Sequence, residues 1–305
     1  MLFVNNSFVL EKRFLALLLM TIGSVAISFN GLVLRNIEIA DNWTIIFYRA
    51  LSFSFAIFIY LFFMYKKRIL KKIIQIGING LIGGFVLGIS NVCFILSMTT
   101  TSVANAVFTI SLIPFITALF SLIILKEKLA QITIYTMIVA FLGVLIMFYG
   151  SLKIGELWGN MLALITAISF SIYTIIIRSN RNIDMLPCLL ISGIMAMGFT
   201  SFQKVGSLPI STHDFFLCFL LGGVLSGFVN CCFVFATRYL IATEATLFFF
   251  IEIALSPIWV WLFLNEIITL HTLTGGIIIL ISILIRALYL QNHKLYFHKG
   301  HLCQS

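Results

Sequence analysis

Ten runs of mostly apolar residues, each about 20 residues long, follow one another along the chain with short polar connections between them. A helix rises 1.5 Å per residue, so about 20 apolar residues cross the roughly 30 Å hydrocarbon core of a membrane. The pattern predicts an all-α integral membrane protein with ten transmembrane helices, named here span 1 to span 10. Their predicted limits are residues 14–34, 43–63, 76–98, 103–125, 131–149, 157–177, 185–203, 215–237, 241–264 and 271–290.

The composition agrees with this prediction. Of the 305 residues, 61% are hydrophobic and 10% are charged, whereas a soluble domain carries about 25% charged residues. The connections between spans are too short for a soluble catalytic domain. The first apolar run follows Lys12 and Arg13 and has no small-x-small cleavage pattern, which predicts a retained span rather than a signal peptide.

The net charge of +9 is distributed unevenly about the predicted spans. Fifteen of the 19 basic residues fall on one side, three on the other, and Arg49 lies inside span 2. By the positive-inside rule the basic side is cytoplasmic, so both termini and the tail at 291–305 are predicted there. The cluster from Lys66 to Lys72 either contacts anionic lipid headgroups or acts only as a topology signal. Nucleic acid is not an expected partner.

The two halves of the chain resemble each other. At a shift of 139 residues, GGFVLGISNVCF at 83–94 aligns with GGVLSGFVNCCF at 222–233, and Glu127 aligns with Glu266. This predicts two repeats, at 1–150 and 151–290, with five spans each. Because five is odd, the second repeat must enter the membrane from the opposite side. Inverted repeats of this kind are typical of secondary transporters, whose substrate site lies between the repeats.

Among the charged residues of the predicted spans, Glu252 and Arg49 lie farthest from the span ends. In FFFIEIALSP, Glu252 lies about 16 Å into span 9, where facing lipid would cost at least ~2.5 to 3.5 kcal/mol. We predict that Glu252 faces a central cavity and binds a substrate ammonium or a coupling proton; the alternative is a structural glutamate capped by Ser, Asn or backbone groups. Arg49, in WTIIFYRA, either contacts an anion or pairs with a carboxylate, or only snorkels to the membrane surface.

Several uncharged positions are further candidates. Asn30, Asn91, Tyr173 and Asn230 are predicted to line the same cavity. The alternative for Asn91 and Asn230 is helix packing through the glycines beside them, and for Asn30 and Tyr173 it is a local partner within the bundle. Two helix breaks are predicted, at Pro114 in span 4 and at Pro257 in span 9. Near the start of span 9, Glu244 is expected to be satisfied by solvent or by Arg238.

The cysteines and histidines show no metal-binding spacing, so the sequence predicts no metal, no cofactor and no enzymatic activity. An integral membrane enzyme acting on lipid would need convergent nucleophile, base or metal ligands. A scaffold or sensor without transport remains the third class, and the inverted repeat disfavours it.

The motifs that close spans 4 and 9, FSLIILKEKL and WVWLFLNEIIT, together with Trp43 and FYR at 47–49, resemble the EamA family of the drug/metabolite transporter superfamily. Glu252 lies fourteen residues before Glu266, as in the family's Glu-Pro pair, but Ile253 replaces the proline and Pro257 follows one turn later.

The resemblance implies a bacterial inner (plasma) membrane transporter that exports amino acids or other small metabolites, often with a coupling proton or other ion. Its expected partners are therefore a small-molecule substrate and membrane lipid. The alternatives within the superfamily are metabolite import and exchange of nucleotide sugars or phosphorylated sugars.

Overall fold

The computed structural model describes residues 2–38, 40–149, 157–203, 209–264 and 269–300, with side chains between positions 11 and 289. These residues form helices and their connections, with no strand among them. Span 1 consists of Leu2–Ile27 and Asn30–Arg35, span 2 of Asn42–Tyr65, and span 3 of Gly77–Thr100. Span 4 consists of Val103–Ile110, Ile113–Phe120 and Ser121–Leu125, and span 5 of Gln131–Met147. Lys66–Arg68 and Ile69–Gln75 connect spans 2 and 3. Span 6 consists of Leu157–Ser179, span 7 of Pro187–Gln203, and span 8 of Thr212–Phe219, Leu220–Ser226 and Gly227–Ala236. Span 9 consists of Ala242–Thr246 and Phe249–Leu264, and span 10 of Leu270–Gly300.

Eight of the ten predicted spans coincide with helical segments that are long and apolar enough to cross a membrane. The other two, spans 5 and 7, are apolar helices of 17 residues each, Gln131–Met147 and Pro187–Gln203. Large apolar side chains cover much of the outer surface of the bundle; Phe63, for example, is 75% exposed. That surface suits a hydrocarbon environment.

Three helices begin at an N-cap residue whose polar side chain accepts a hydrogen bond from an otherwise unpaired backbone N–H. Asp41 accepts from the N–H of Thr44 at the start of span 2. Ser102 does the same at the start of span 4, and Ser211 at the start of span 8. These residues terminate the polar connections and set where the apolar helices begin.

Spans 1, 4 and 9 are interrupted, at residues 28–29, 111–112 and 247–248. Pro114 is the second residue of the helix Ile113–Phe120, directly after the interruption of span 4. Pro257, in contrast, lies inside the helix Phe249–Leu264. The prediction that Pro257 breaks span 9 is therefore wrong. A membrane helix can continue through a proline because neighbouring groups satisfy the carbonyl that the proline leaves without its bond.

The two repeats pack by the same scheme. Span 1 packs against spans 8 and 9, while span 6 packs against spans 3 and 4. Span 2 contacts span 8, just as span 7 contacts span 3. Spans 2 and 7 contact each other, as do spans 5 and 10. Each of these interfaces maps onto another, or onto itself, when every span is exchanged with the one five places further on, as a pseudo-two-fold relation requires.

Glycines of the repeated motif allow these close approaches. A Cβ on Gly84 of span 3 would lie 2.7 Å from the carbonyl oxygen of Cys188 in span 7. A Cβ on Gly223 of span 8 would lie 3.2 Å from the carbonyl oxygen of Ser52 in span 2. The same motif thus serves helix packing in both repeats.

The contact between spans 5 and 10 gives a direct test of this packing. A Cβ on Gly143 would lie 2.9 Å from the carbonyl oxygen of Gly275 and 2.8 Å from Cγ1 of Ile279. We expect Gly143→Ala to destabilise the protein by about 1 to 3 kcal/mol through overpacking, measured as a lower melting temperature of the purified protein. Gly198→Ala is the matched control, because nothing lies within 4 Å of its Cβ. Equal melting temperatures for the two variants would contradict the close approach.

Candidate functional site

A cavity of about 530 Å³ lies between the two repeats. Helices of both repeats form its wall, and much of the wall is apolar, including Phe94, Phe170 and Phe249. Its size is that of a pocket for a small molecule. Six of the residues singled out in the sequence lie on this wall: Asn30, Arg49, Asn91, Asn230, Glu252 and Pro257.

The cavity opens at one end of the bundle. Val103 at the start of span 4 and Trp261 near the end of span 9 line it and are each 49% exposed. Arg35 at the end of span 1 and Thr269 before span 10 also line it and are exposed. By the predicted topology, all four belong to the end of the bundle that has three of the basic residues rather than fifteen.

Arg49 enters the cavity from span 2. Its Nη2 donates a hydrogen bond to Oγ of Ser226 at 3.0 Å, and the guanidinium carbon lies 5.6 Å from the centre of the Phe94 ring. Its Nε is buried and has no hydrogen-bond partner among the described residues. Arg49 is therefore an incompletely satisfied cation inside the bundle rather than one that snorkels to the membrane surface.

Glu252 projects from span 9 into the same cavity. None of the described residues donates a hydrogen bond to its carboxylate or forms an ion pair with it. Its charge and that of Arg49 attract each other within the cavity without direct contact. Among the described residues, the structural caps considered as an alternative for Glu252 are therefore not present.

The three asparagines of the wall differ in how they are satisfied. Nδ2 of Asn230 donates to the carbonyl oxygen of Ser226 at 2.8 Å. Oδ1 of Asn30 is buried without a partner, and the amide of Asn91 forms no hydrogen bond with a described residue. Asn30 and Asn91 therefore offer polar groups to a bound molecule, whereas Asn230 is partly committed to its own helix.

The structure corrects the position of Tyr173. This side chain is fully buried and packs against Phe170 and Phe233, with ring centres 5.6 and 6.3 Å away. It does not line the cavity. A tyrosine on an apolar helix is equally compatible with a core and a cavity position, and here the surrounding aromatic rings place it in the core. Pro114 is likewise absent from the cavity wall.

The opposite end of the bundle is closed by ion pairs. The carboxylate of Glu244, at the start of span 9, pairs with Arg13 at 2.9 Å and with Arg286 at 2.7 Å. Arg286 also donates to Oγ1 of Thr133 in span 5. The expected partner, Arg238, instead pairs with Asp184 at 2.7 Å. Because the partners of Glu244 lie far from it in the chain, its own neighbourhood in the sequence did not reveal them.

A second cluster at this end is centred on Glu127, which follows span 4. One carboxylate oxygen pairs with Nε of Arg178 in span 6 at 2.6 Å. The other accepts from Oγ of Ser121 at 2.8 Å and from the backbone N–H of Ala242 at 3.1 Å. Arg178 also donates to the carbonyl oxygen of Thr237 at 2.8 Å. Glu127 thereby joins spans 4 and 6 to the start of span 9; its aligned counterpart, Glu266, lies outside the described residues.

Sequence reasoning missed two further features of the site. Ser226, the partner of Arg49, lies in a π-helical stretch, Leu220–Ser226, that no apolar pattern predicts. At the interruption of span 1, Oγ of Ser28 accepts a hydrogen bond from Nε1 of Trp259 at 2.7 Å, and Phe29 stacks on the Trp259 ring. Ser28 and Asn30, two polar residues in the apolar segment VAISFNG at 25–31, are a sequence signal that could have indicated this interruption, but not its partner in span 9.

Comparison with known proteins gives the family. The model of the EamA-like transporter family matches residues 14–149 and 157–287, one match for each repeat. A search of curated proteins found no match. Twenty-eight chains of solved structures match; one of them, described only as "Crystal structure of protein", is 13% identical with a TM-score of 0.70, covering 91% of this chain and 98% of its own. That similarity shows the fold alone. The two family matches cover most of the sequence, and this multi-pass membrane protein belongs to the EamA-like transporter family.

Proposed function

We propose that this protein is a secondary transporter that exports small amphipathic metabolites, such as amino acids, across the bacterial inner (plasma) membrane by alternating access. The observation that carries the proposal is the cavity between the repeats, with Arg49 from one repeat and Glu252 from the other on its wall. A secondary transporter binds its substrate at such an interface, near the midplane of the membrane.

The proposed topology has ten spans with both termini in the cytoplasm. Spans 5 and 7, with 17 residues each, are about 26 Å long, which is at the lower limit for crossing the hydrocarbon core. The basic members of the ion-pair clusters, Arg13, Arg178, Arg238 and Arg286, all belong to the side with the basic connections. In this orientation the ion-paired end is cytoplasmic and the cavity opens to the outside.

Alternating access then requires the cytoplasmic end to open. The clusters around Glu244 and Glu127 connect both repeats at that end. Separating the partners of a buried ion pair is costly in free energy unless water reaches them, because each charge is then left without compensation. These clusters therefore form a gate with two defined positions, closed when paired and open when the paired groups are hydrated.

The cavity favours an amphipathic substrate. Its walls offer aromatic rings, and Glu252 can bind either an ammonium group or a coupling proton. A phosphorylated sugar brings at least one strong negative charge, which the carboxylate of Glu252 in the same cavity repels. We therefore place amino acids or related compounds ahead of sugar phosphates.

The inverted topology is tested by labelling single cysteines introduced at Lys126 and Asn265, in a chain whose six natural cysteines have been replaced. These positions follow spans 4 and 9. If the repeats are inverted, a membrane-impermeant thiol reagent should label the first only from the cytoplasmic side and the second only from outside. Labelling of both positions from one side would contradict the inverted repeat and the transport mechanism with it.

Transport is tested with sealed vesicles that contain the purified protein. Vesicles with a proton gradient should move members of an amino acid mixture, and Glu252→Gln should abolish the gradient-driven part while leaving the folded yield unchanged, because glutamine keeps the shape but carries no charge. Glu11→Gln, at an exposed position, is the matched control. If Glu252→Gln transports like the natural protein with the same pH dependence, Glu252 has no coupling role.

The gate is tested at Glu127. Glu127→Gln leaves Arg178 without its charge partner, which we expect to destabilise the closed end by about 3 kcal/mol. A cysteine replacing Phe248, a cavity residue within the interruption of span 9, should then be labelled faster from the cytoplasmic side.

Replacing Glu127 and Arg178 together with methionine removes both charges and should restore slow labelling. Equal labelling rates in all three proteins would show that this pair does not hold the end closed.

A further inference from the structure

The surroundings of Arg49 combine a buried positive charge with unused hydrogen-bond donors. A guanidinium has five N–H donors in a planar fork, and the structure shows a single hydrogen bond from this one, to Ser226. Nε is buried without a partner, and no carboxylate among the described residues lies within ion-pair distance. Burying a charge in this condition is costly unless a further group compensates it.

Two more polar side chains meet Arg49 in one recess. A side pocket of about 20 Å³ next to the main cavity is lined by Arg49, Asn91 and Ser226 together. The Asn91 amide has no hydrogen-bond partner among the described residues. Three of its eight lining residues thus offer a cation, an uncommitted amide and a hydroxyl, and the other five are apolar or glycine. The same three residues also line the main cavity, where the Phe94 ring lies 5.6 Å from the guanidinium carbon.

These donors match one kind of ligand group. A carboxylate accepts two parallel hydrogen bonds from a guanidinium, and this fork geometry is stronger than a neutral hydrogen bond. One negative charge on the ligand pairs with Arg49 directly, which Glu252 does not. A doubly charged phosphate would bring a second negative charge into a cavity that also contains Glu252. A neutral or purely cationic ligand would leave the guanidinium without a direct charge partner.

We infer that Arg49, Asn91 and Ser226 form a carboxylate-binding subsite, so that the ligand of the cavity is an amphipathic molecule whose carboxylate contacts Arg49 and whose apolar part lies against the aromatic wall. This inference rests on the proposed function in taking the cavity as the ligand site. A subsite of this kind binds carboxylates in preference to simple amines. Glu252 by itself would favour the opposite order, because its carboxylate attracts an ammonium group. Arg49 then acts as the residue that determines specificity rather than as a partner of Glu252.

Binding to the purified full-length protein in detergent tests the subsite without requiring transport. The probes share a phenyl ring and differ in their polar group: 3-phenylpropionate, 2-phenylethylamine and phenyl phosphate. The first should raise the melting temperature in a saturable way, because a ligand that binds the folded state stabilises it. The amine and the phosphate should bind at least about ten-fold more weakly.

Arg49→Gln should weaken 3-phenylpropionate binding by roughly 10- to 100-fold, the range for a hydrogen bond to a charged group. Arg49→Lys keeps the charge but loses the fork and should give an intermediate value. Arg68→Gln, an exposed arginine between spans 2 and 3, is the control and should bind like the natural protein.

A second variant covers the case in which Arg49 is needed for folding. Asn91→Asp places a carboxylate of the protein itself in the recess, so it should raise the melting temperature in the absence of ligand and abolish binding of 3-phenylpropionate. The inference is overturned if this variant or Arg49→Gln binds 3-phenylpropionate as the natural protein does, if the amine or the phosphate binds better than the carboxylate, or if no carboxylate probe binds. If the binding results are as expected but the vesicles show no transport, the proposed function is refuted and the carboxylate-binding subsite is not.

Discussion

A charged side chain in the hydrocarbon core of a membrane needs an opposite charge, a set of hydrogen bonds or a polar cavity, and this constraint organises the molecule. At one end of the bundle, the constraint is met by ion pairs: Glu244 with Arg13 and Arg286, and Glu127 with Arg178. In the middle it is not met by pairing. There, Arg49 and Glu252 share a cavity without contact. The contrast separates an end of the bundle where these charges are paired from a cavity where Arg49 and Glu252 are not.

The internal repeat makes this contrast more specific. At the shift of 139 residues, Asn91 corresponds to Asn230, and both lie on the cavity wall. The charged positions have no such counterparts, because Arg49 corresponds to Cys188 and Glu252 to Ile113. A nearly symmetric frame therefore holds a cation from one repeat and an anion from the other. A ligand bound as proposed would meet opposite charges on different elements, and these would fix its orientation in a way that a symmetric site cannot.

Much of the architecture followed from the sequence because apolar length and repeat spacing are local or periodic signals. The cavity position of Glu252 followed from the cost of facing lipid. What the sequence did not predict depends on contacts between distant segments: the interruption of span 1, stabilised by the bond from Trp259 to Ser28, and the pairing of Glu244 with Arg13. Tyr173 was misplaced for a related reason: Phe170 lies three residues before it on the same helix, but the ring that stacks on it from span 8, Phe233, is distant in the sequence.

The short helix Ala242–Thr246 is where the locked end and the cavity meet. Glu127 accepts a hydrogen bond from its first backbone N–H, and Glu244 within it pairs with Arg13 and Arg286. The chain then breaks at residues 247–248, and the next helix, Phe249–Leu264, carries Glu252. The regular helix is interrupted at this point, where Phe250 and Ile251 donate to the carbonyl oxygens of Leu247 and Phe248. In the proposed alternating-access mechanism, a ligand or proton that moves the helix at Glu252 acts through these two residues on the helix that both ion-pair clusters hold. On that proposal, the interruption of span 9 links occupancy of the cavity to closure of the opposite end.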